Sequence, residues 1–413
     1  MIKMYALYEN NVIKYLCLTR GGKSLNMKKT VLVTGGAGYI GSHAVRQLLD
    51  HDFDVIVVDN LSTGHVKAVD PRAKLYLGDV RDLNFLAGVF KNNTIDGVMH
   101  FAGKIIVPES VGDPTAYFDD NIQAVVSVIR CMHAYGVKNF VFSSTAAVYG
   151  TAKTTVISED APLHPESPYG FSKLAAEHLI AFAERAYGIK HVIFRYFNVA
   201  GASLDSKIGE AHPVESHLIP VIINAGLSGK EMQIFGNDYE TRDGTCLRDY
   251  IHVVDLAEAH VLGMEHLLED GESATINLGS QNGFTNKEIL TTVDKVLKEE
   301  HLSEGVKWKF GPRRAGDPAA IVASNERAKK ILGWTPKYDL ETMIKSAIAW
   351  KNTHKNLYND KNGTKIAFDK EDMKHIAKVR PVSYNELVKK GVYSGIEHYD
   401  DIVGAKIEKA LTK

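Results

Sequence analysis

The stretch TGGAGYIGSH, residues 34–43, constrains the fold of this chain more than any other feature. It follows the β-branched run TVLVTG at 30–35 and opens an amphipathic segment. Gly35 allows a tight turn, Gly38 lets backbone amides approach a pyrophosphate, and Gly41 lets helix and strand pack closely. The helix N-terminus adds unpaired N–H groups and the positive end of the helix dipole. The stretch therefore predicts a dinucleotide site between a first strand and a first helix.

The same alternation of strand and helix recurs to about Asn198. Short runs that are apolar nearly throughout stand at 30–35, 55–60, 75–80, 97–103, 139–145 and 191–198. Such runs are typical of parallel strands covered on both faces. Amphipathic segments between them, such as 42–52 and 172–188, indicate helices. The pattern predicts an α/β fold with a Rossmann-type, doubly wound parallel sheet.

The chain is expected to divide into four parts. Met27 looks like a start of its own, so we expect 1–27 to be an N-terminal extension, with the native start at Met1 or Met27 left open. Residues 28–199 are expected to form the Rossmann domain that binds the dinucleotide, for which NAD is predicted below. After about Ala200 the alternation weakens, and 200–355 is expected to form a smaller mixed α/β domain for the substrate. Residues 356–413 form a C-terminal extension of unknown role, with a short helical pattern at 369–379.

Charge and cysteine content exclude several classes of protein. The 413 residues carry 49 lysines and arginines against 50 aspartates and glutamates, so no basic field attracts nucleic acid or a membrane. No apolar run approaches the ~18 residues of a spanning helix. Cys17, Cys131 and Cys246 are far apart, which indicates neither a disulfide framework nor a zinc site. We therefore expect a cytoplasmic protein with reduced thiols and no metal.

A carboxylate at the end of the second strand selects the cofactor. Asp59 follows Gly35 by 24 residues, the place where a Rossmann domain accepts hydrogen bonds from the adenosine ribose. Its negative charge would repel a 2′-phosphate, so we predict NAD rather than NADP. In GDVRD at 78–82, Asp79 ends the third strand, and we expect it within reach of the adenine.

Tyr169 and Lys173 in SPYGFSK stand at positions i and i+4. If a helix begins near Pro168, both side chains lie on one face. A nearby ammonium favours phenolate and lowers the tyrosine pKa, which makes Tyr169 a base for a hydroxyl proton as hydride leaves. The fifth strand ends in hydroxyl side chains at 143–145, which supply a donor for the same oxygen. This constellation predicts dehydrogenase-type chemistry.

Taken together, the motifs resemble those of the extended short-chain dehydrogenases/reductases. Within that superfamily the chain is similar to the NAD-dependent 4-epimerases that act on UDP-glucose and UDP-galactose. The resemblance extends over about residues 28–355. It is carried, in the family's order, by TGGAGYIGSH, DNLSTG, GDVRD, HFAG, SSTAAVYG, SPYGFSK, RYFNVAGA, SHLIP, IFGNDYETRDGTCLRDYIHVVDLA, NLGS and RRAGDPA.

The resemblance implies a redox-neutral isomerase that binds NAD tightly and inverts C4 of a UDP-sugar through a transient 4-keto sugar. It implies Thr145, Tyr169 and Lys173 as catalytic residues. It implies cofactor contacts at Gly35, Gly38, Tyr39, Ile40, Gly41, Asp59, Asn60, Ser62, Gly64, Asp79, Val80, Phe101, Ala102, Gly103, Lys104, Asn121, Tyr169, Lys173 and Phe197. It implies substrate contacts at Thr145, Tyr169, Asn198, His217, Gln233, Phe235, Arg248, Arg314 and Asp317. It also suggests a homodimer through paired helices of the nucleotide domain.

Two departures from the family pattern leave alternatives open. Lys104 follows HFAG at once, whereas the family often places a lysine two residues after it, so its cofactor contact is in question. Ile321 stands where some members carry a tyrosine, and the smaller side chain favours room for the N-acetyl group of UDP-N-acetylglucosamine. A 4,6-dehydratase needs an additional acid and base, but Ala146 and Ala147 transfer no protons. A non-catalytic NAD-binding sensor is the remaining alternative.

Overall fold

The computed structural model describes residues 28–151, 154–212, 215–314, 317–355, 357–358 and 376–392, and the backbone of 3–9 and 12–18. In chain order the strands are β1 (Lys3–Glu9), β2 (Val12–Leu18), β3 (Thr30–Thr34), β4 (Asp54–Asp59), β5 (Lys74–Leu77), β6 (Gly97–His100), β7 (Asn139–Ser143), β8 (Val156–Ile157), β9 (Lys190–Tyr196), β10 (Asn198–Ala200), β11 (Met232–Phe235), β12 (Leu247–Arg248), β13 (Tyr250–His252), β14 (Ala274–Leu278), β15 (Phe284–Thr285), β16 (Trp308–Gly311), β17 (Ala320–Ala323) and β18 (Ile376–Ala377). The α-helices are α1 (Tyr39–Asp50), α2 (Leu83–Lys91), α3 (Val107–Gly112), α4 (Pro114–Tyr135), α5 (Pro168–Tyr187), α6 (Leu218–Ser228), α7 (Val253–Leu268), α8 (Asn286–Glu299), α9 (Glu326–Leu332), α10 (Leu340–Thr353) and α11 (Tyr384–Lys389).

An eight-stranded sheet forms the centre of the fold, in the order β14-β9-β7-β6-β3-β4-β5-β18. Every pair of neighbours in it is parallel. The strand order reverses at β3, which lies between β4 and β6, and ligands of such sheets bind outside the carboxyl ends of the strands at this point. The prediction of a doubly wound parallel sheet is confirmed, and its six strands are β3, β4, β5, β6, β7 and β9.

Two strands of this sheet come from outside residues 28–199. Strand β14 pairs with β9, and β18 pairs with β5 through Ile376 and Ala377. The helix predicted at 369–379 is therefore wrong at residues 376–377, which form a strand. Residues 369–375 lie outside the described part of the chain. A two-residue strand has too little pattern to be recognised locally, and its formation depends on the open edge that β5 offers.

Apolar side chains cover both faces of the sheet. Along β3, Leu32 packs into one core with α2 and α4, while Val31 and Val33 pack into a second core with α1 and α7. This alternation follows from the two-residue period of a strand, and all three side chains are fully buried. With both faces of the sheet covered by helices, the loops at the carboxyl ends of the strands lie around the glycine stretch.

The region after Ala200 builds its own smaller core from α6, α8 and α10, with Ile222, Val293 and Ile344 fully buried. Small sheets border it, β11 with β16 and the four-stranded β15-β12-β17-β8. Within the described residues, no helix is long and apolar enough to cross a membrane.

Candidate active site

The turn after β3 brings two strand ends into direct contact. Gly35 has a φ of +73°, a left-handed conformation that glycine adopts without strain. A Cβ on Gly35 would lie 2.6 Å from the backbone nitrogen of Ala102, which follows β6. A Cβ on Gly41 would lie 2.1 Å from the carbonyl oxygen of Gly35. The first and third glycines are thus needed for close packing of the turn, as the sequence suggests.

Gly38 is the N-cap of α1, and no side chain caps the helix there. A Cβ at this position would meet one atom, the carbonyl oxygen of Gly35 at 3.3 Å. The amides of the first turn of α1 are therefore open to an outside acceptor, which fits the pyrophosphate of a dinucleotide. Of the neighbouring side chains, Tyr39 donates its hydroxyl to the carbonyl of Gly201 at 2.6 Å, and Ile40 packs against the core under α1.

Asp59 organises the loop that faces the glycine turn. Its buried carboxylate accepts hydrogen bonds from the backbone amides of Ala37 at 2.9 Å and Leu61 at 2.8 Å. A Cβ on Gly64 would lie 3.0 Å from the carbonyl carbon of Ala37, so the 60–64 loop lies against the glycine turn. Within that loop, Asn60 accepts the amide of Ser62 at 3.0 Å. The ribose contact proposed for Asp59 thus comes in addition to a structural role.

Asp79, expected near the adenine, has a cation beside it. Arg81 binds it through a guanidinium–carboxylate pair at 2.8 Å, and Asn60 donates to it at 3.2 Å. The hydrogen bond from Arg81 lowers the pKa of Asp79 to about 2. Val80 turns into the core beneath it. Asn60, which follows Asp59, thus connects the loop after β4 to Asp79.

The loop after β6 is fixed by a buried asparagine. Asn121 on α4 accepts the backbone amide of Lys104 at 2.8 Å and donates to the hydroxyl of Ser172 at 2.9 Å. Its Oδ1 would lie 2.6 Å from a Cβ on Gly103, so that position excludes any side chain. Asn121 therefore positions residues 101–104, Phe101 and Ala102 among them, against α5.

Lys104 points away from this contact. Its ammonium pairs with Glu109 at 3.2 Å and lies 3.8 Å from Asp120, on a partly exposed surface. These two carboxylates compete for the charge that a cofactor phosphate would use. The structure thus keeps the cofactor role of Lys104 in question.

Tyr169 lies in the first turn of α5, where the sequence places a helix start. Ser167 is the N-cap and accepts the amide of Gly170 at 3.1 Å, while Pro168 occupies the first helical position. Both residue types are favoured there for the reasons of capping and fixed φ. The side chain of Tyr169 is buried and hydrogen-bonds with Thr145. The predicted helix start near Pro168 is confirmed.

Lys173 lies one turn further along α5 and is buried. Its ammonium donates to the carbonyl oxygen of Ser143 at 3.0 Å and lies 5.0 Å from the centre of the Phe142 ring. A Cβ on Gly103 would lie 3.7 Å from the same nitrogen. Burial lowers the pKa of Lys173 to about 8, although Glu177 raises it in part.

One expectation about Tyr169 is not met by the protein alone. Burial raises the pKa of the phenol, and the hydrogen bond with Thr145 opposes this rise in part. Lys173 contributes no such effect on the pKa of Tyr169, and its ammonium donates to the Ser143 carbonyl. The sequence-based expectation that Lys173 lowers the pKa of Tyr169 is therefore wrong for the protein by itself.

A buried ion pair that was not predicted from the sequence supports α5. Glu177 accepts the guanidinium of Arg195 at 2.6 Å, with each side chain 6% exposed, and it also accepts the hydroxyl of Ser144. Arg195 donates further to the hydroxyl of Tyr149 at 3.1 Å. Glu177 is four residues after Lys173 on α5. The sequence signal for this pair is Arg195, because a charged residue within the apolar run HVIFRYFN needs a buried partner of opposite charge.

The residues expected to hold the nucleotide lie on β10, β11 and β12 and in the loops around them. Asn198 donates to the carbonyl of Asp249 at 2.9 Å. Arg248 donates to the carbonyl of Pro318 at 2.8 Å and pairs with Asp317 at 3.3 Å. The guanidinium of Arg314 lies 4.1 Å from the centre of the Phe235 ring. The structure thus brings four of these residues into two pairs, Arg248 with Asp317 and Arg314 with Phe235, and places Asn198 beside Asp249.

The remaining expected contacts are spread around these groups. Gln233 is exposed on β11, with Gly311 of the paired strand beside its side chain. Phe197 packs against the cluster of Val148 and Tyr149. His217 caps α6 and pairs with Glu210 at 2.6 Å.

Comparisons with known proteins agree with this geometry. Residues 31–279 match the model of the NAD dependent epimerase/dehydratase family. The UDP-glucose 4-epimerase of Lacticaseibacillus casei is 49% identical over 335 residues, which cover 81% of this chain and 100% of that protein. A crystal structure of UDP-glucose 4-epimerase from Bifidobacterium longum in complex with NAD+ and UDP is 37% identical, covers 79% of this chain and 99% of its own, and has a TM-score of 0.74. The UDP-Glc/GlcNAc 4-epimerase of Campylobacter jejuni is 39% identical, covers 79% and 99%, and has a TM-score of 0.70.

Proposed function

We infer that this chain, which belongs to the NAD-dependent epimerase/dehydratase family, is an isomerase that interconverts UDP-galactose and UDP-glucose with NAD as cofactor. The observation that carries the inference is the burial of Tyr169, Thr145 and Lys173 together at the carboxyl end of the sheet. These three side chains lie beside the glycine turn, where no side chain caps the first backbone amides of α1. Relatives named UDP-glucose 4-epimerase cover most of the chain.

Each catalytic side chain has a distinct task. Tyr169 takes the proton of the C4 hydroxyl as C4 becomes a ketone, and Thr145 donates a hydrogen bond to the same oxygen. Bound NAD supplies the acceptor and, in the second half of the cycle, the donor of the C4 hydride. After the 4-keto sugar has turned, Tyr169 returns its proton to the C4 oxygen. Atoms and electrons balance, because one proton and one hydride leave and both come back.

Because the pKa of Tyr169 is raised, the loaded site must supply positive charge before this phenol can act as a base. A buried phenol in the protein alone is a poor base, because its anion loses hydration. The ammonium of Lys173 and a nicotinamide cation would both favour the anion when cofactor and sugar are bound. We propose that Tyr169 is therefore activated only in the loaded site, which confines proton abstraction to the turnover.

The sugar must turn while the nucleotide stays fixed, so the substrate needs an anchor away from C4. Arg248 and Arg314 are the guanidinium groups proposed for the diphosphate, since their planar donors suit phosphate oxygens. Arg248 is already oriented by the Pro318 carbonyl and by Asp317. Asn198, His217, Gln233 and Phe235 are proposed to complete the nucleotide pocket.

A second substrate is favoured by one side chain. Ile321 on β17 pairs directly with Arg248 on β12, close to the proposed diphosphate anchor. Its aliphatic side chain leaves more room than a tyrosine, which suits an N-acetyl group. A steady-state assay with UDP-galactose and UDP-N-acetylglucosamine tests this, and undetectable turnover of the acetylated sugar excludes it.

We also propose a homodimer formed through α4 and α5. These helices pack together and leave Phe118, Phe171 and Phe182 exposed, with the rings of Phe118 and Phe171 6.0 Å apart. Such an apolar surface on a single chain is typical of an interface. Light scattering is expected to give a dimer for the native protein and a weakened dimer for Phe182→Asp; a monomeric native protein excludes the proposal.

We further propose a cytoplasmic location. The use of NAD by this protein and its buried free thiols, Cys131 and Cys246, support it.

One assay tests the epimerase function directly. UDP-galactose is supplied to the purified protein, and UDP-glucose is detected with its dehydrogenase. We expect sustained turnover without net consumption of NAD by the epimerase. NAD binding without turnover would instead support a sensor, and a product that has lost water would support a dehydratase, against which Ala146 and Ala147 argue.

A further inference from the structure

Four side chains with metal-binding atoms meet away from Thr145, Tyr169 and Lys173, and one of them, His217, is also among the residues proposed for the nucleotide pocket. Glu210, His212, Glu215 and His217 come from a stretch of eight residues. Each offers one nitrogen or oxygen atom, and these atoms all lie within 4.8 Å of one another. Over the part of the chain that the structure describes, no other set of three or more such groups converges in this way. We call these four residues the His/Glu cluster.

The cluster is centred on one carboxylate oxygen. Oε1 of Glu210 lies 3.0 Å from Nδ1 of His212 and 2.6 Å from Nδ1 of His217. Oε1 of Glu215 lies 3.5 Å from that same nitrogen of His217. The Glu210 side chain is 8% exposed, so its charge is largely withdrawn from water and needs a cation beside it.

The carboxylates of Glu210 and Glu215 have a lysine nearby. Lys351 on α10 lies near enough that Glu215 and Glu210 act on it, yet burial lowers its pKa. The two imidazoles lie next to these carboxylates, and a metal cation among the four side chains would supply the positive charge that the carboxylates need.

We propose that the His/Glu cluster binds one divalent transition-metal cation, with Zn²⁺ as the best match. Two imidazoles and two carboxylates form a set of four nitrogen and oxygen ligands, the number that Zn²⁺ usually takes in proteins. Mg²⁺ and Ca²⁺ prefer oxygen ligands alone, so two histidines argue against them. The cysteine pattern predicts no metal site, whereas the spacing Glu-x-His-x-x-Glu-x-His at 210–217 is the sequence signal for this one.

A solvent-accessible cavity and the starts of two helices surround the cluster. A cavity of about 290 Å³ is lined by Glu210, His212, Glu215 and Lys351, among others, and opens the cluster to solvent. His217 is the N-cap of α6, and the ring of His212 lies 6.5 Å from that of Tyr39, the first residue of α1. A bound cation would link the four side chains of the cluster to the starts of these two helices.

The test uses the full chain without a polyhistidine tag, stripped of metal by a chelator and then titrated with Zn²⁺ alone. Calorimetry and elemental analysis after dialysis give affinity and stoichiometry. Glu210→Gln and His212→Asn each remove one ligand. Glu265→Gln is the matched control, because Glu265 contacts the imidazole of His51 at 3.1 Å in a histidine–carboxylate pair outside the cluster.

We expect one Zn²⁺ per chain, at least about tenfold weaker binding in both cluster variants, and unchanged binding in Glu265→Gln. Zn²⁺ should raise the melting temperature of the native protein and of the control. If Glu210→Gln does not fold, Glu215→Gln gives the same test at a partly exposed position. Absence of stoichiometric Zn²⁺, or equal binding by all variants, would show an ion-pair cluster only. Because no substrate is present, this result is independent of the epimerase assay.

Discussion

Lys173 on α5 donates a hydrogen bond of 3.0 Å to the carbonyl oxygen of Ser143, the last residue of β7. This bond ties the catalytic helix to the strand that also leads to Thr145. It holds the ammonium one helical turn from Tyr169, so the distance between the two side chains is set by the backbone and not by a flexible loop.

Replacing Lys173 with methionine keeps the aliphatic volume but removes the charge. We expect kcat to fall by about 10²–10⁴-fold, the range of a general acid–base contribution, because the phenolate of Tyr169 loses a cation. The coupled UDP-galactose assay measures this. Lys138→Met is the matched control, since Lys138 also donates to a backbone carbonyl, that of Tyr187 at 2.5 Å, on the surface. A rate for Lys173→Met within twofold of the control would contradict the role.

Asp59 is expected to determine the choice of cofactor. The native protein should bind NAD more tightly than NADP, because the carboxylate repels a 2′-phosphate. Asp59→Ser should bring the two dissociation constants closer, by about tenfold or more, while NAD itself also binds less tightly because the amides of Ala37 and Leu61 lose an acceptor. Titrations with both cofactors measure this, and tighter binding of NADP to the native protein would overturn the assignment.

The described part of the C-terminal extension is expected to contribute to stability. Leu387 on α11 is fully buried in the core that includes α2, and Lys91 on α2 pairs with Glu386 at 2.6 Å. Leu387→Ala should lower the free energy of unfolding by about 2–5 kcal/mol, the usual effect of deleting a buried leucine side chain. Urea denaturation measures it, with the exposed Lys389→Ala as control. Equal midpoints for both variants would place Leu387 outside the core.

Stability should fall in mild acid through buried histidines. Burial lowers the pKa of His260 to about 4, so the folded protein keeps it neutral while the unfolded chain takes up a proton below about pH 6.5. Stability is therefore complete above pH 6.5 and is lost as the pH falls towards 4, by about 1.4 kcal/mol per pH unit for one such group.

The ring of His260 lies among Phe101, Phe194 and Tyr196. His260→Phe should therefore fit this aromatic site and remove about one proton from the pH dependence between pH 6.5 and 5. Urea denaturation at several pH values gives the slope, with pH 8 as the reference for both proteins. An unchanged slope would mean that His260 is protonated in the folded state.

Local patterns were sufficient for the parts of the fold that lie close together in sequence. The glycine turn, the helix start at Pro168 and the spacing of Tyr169 and Lys173 follow from residues within one strand, one turn or one helix. The six strands were recognised because a strand buried on both faces is a continuous apolar run.

Pairings between distant segments could not be read in the same way. Arg195 is 18 residues from Glu177 and meets it only once β9 lies beside β7. Strand β18 has two residues and exists through its pairing with β5. The direction of the Lys173 ammonium was also missed, because the i, i+4 spacing places it near Tyr169 but does not show that a strand carbonyl accepts it.

The assignment of Tyr169 as the proton acceptor is tested most directly by Tyr169→Phe in the coupled assay with UDP-galactose. The variant keeps the ring, and with it the 6.3 Å edge-on contact with Tyr117, so fold and NAD binding should be retained. We predict a loss of at least about 10²-fold in kcat with NAD affinity within a fewfold of the native value. A folded, NAD-binding variant that turns over at a near-native rate would contradict the account.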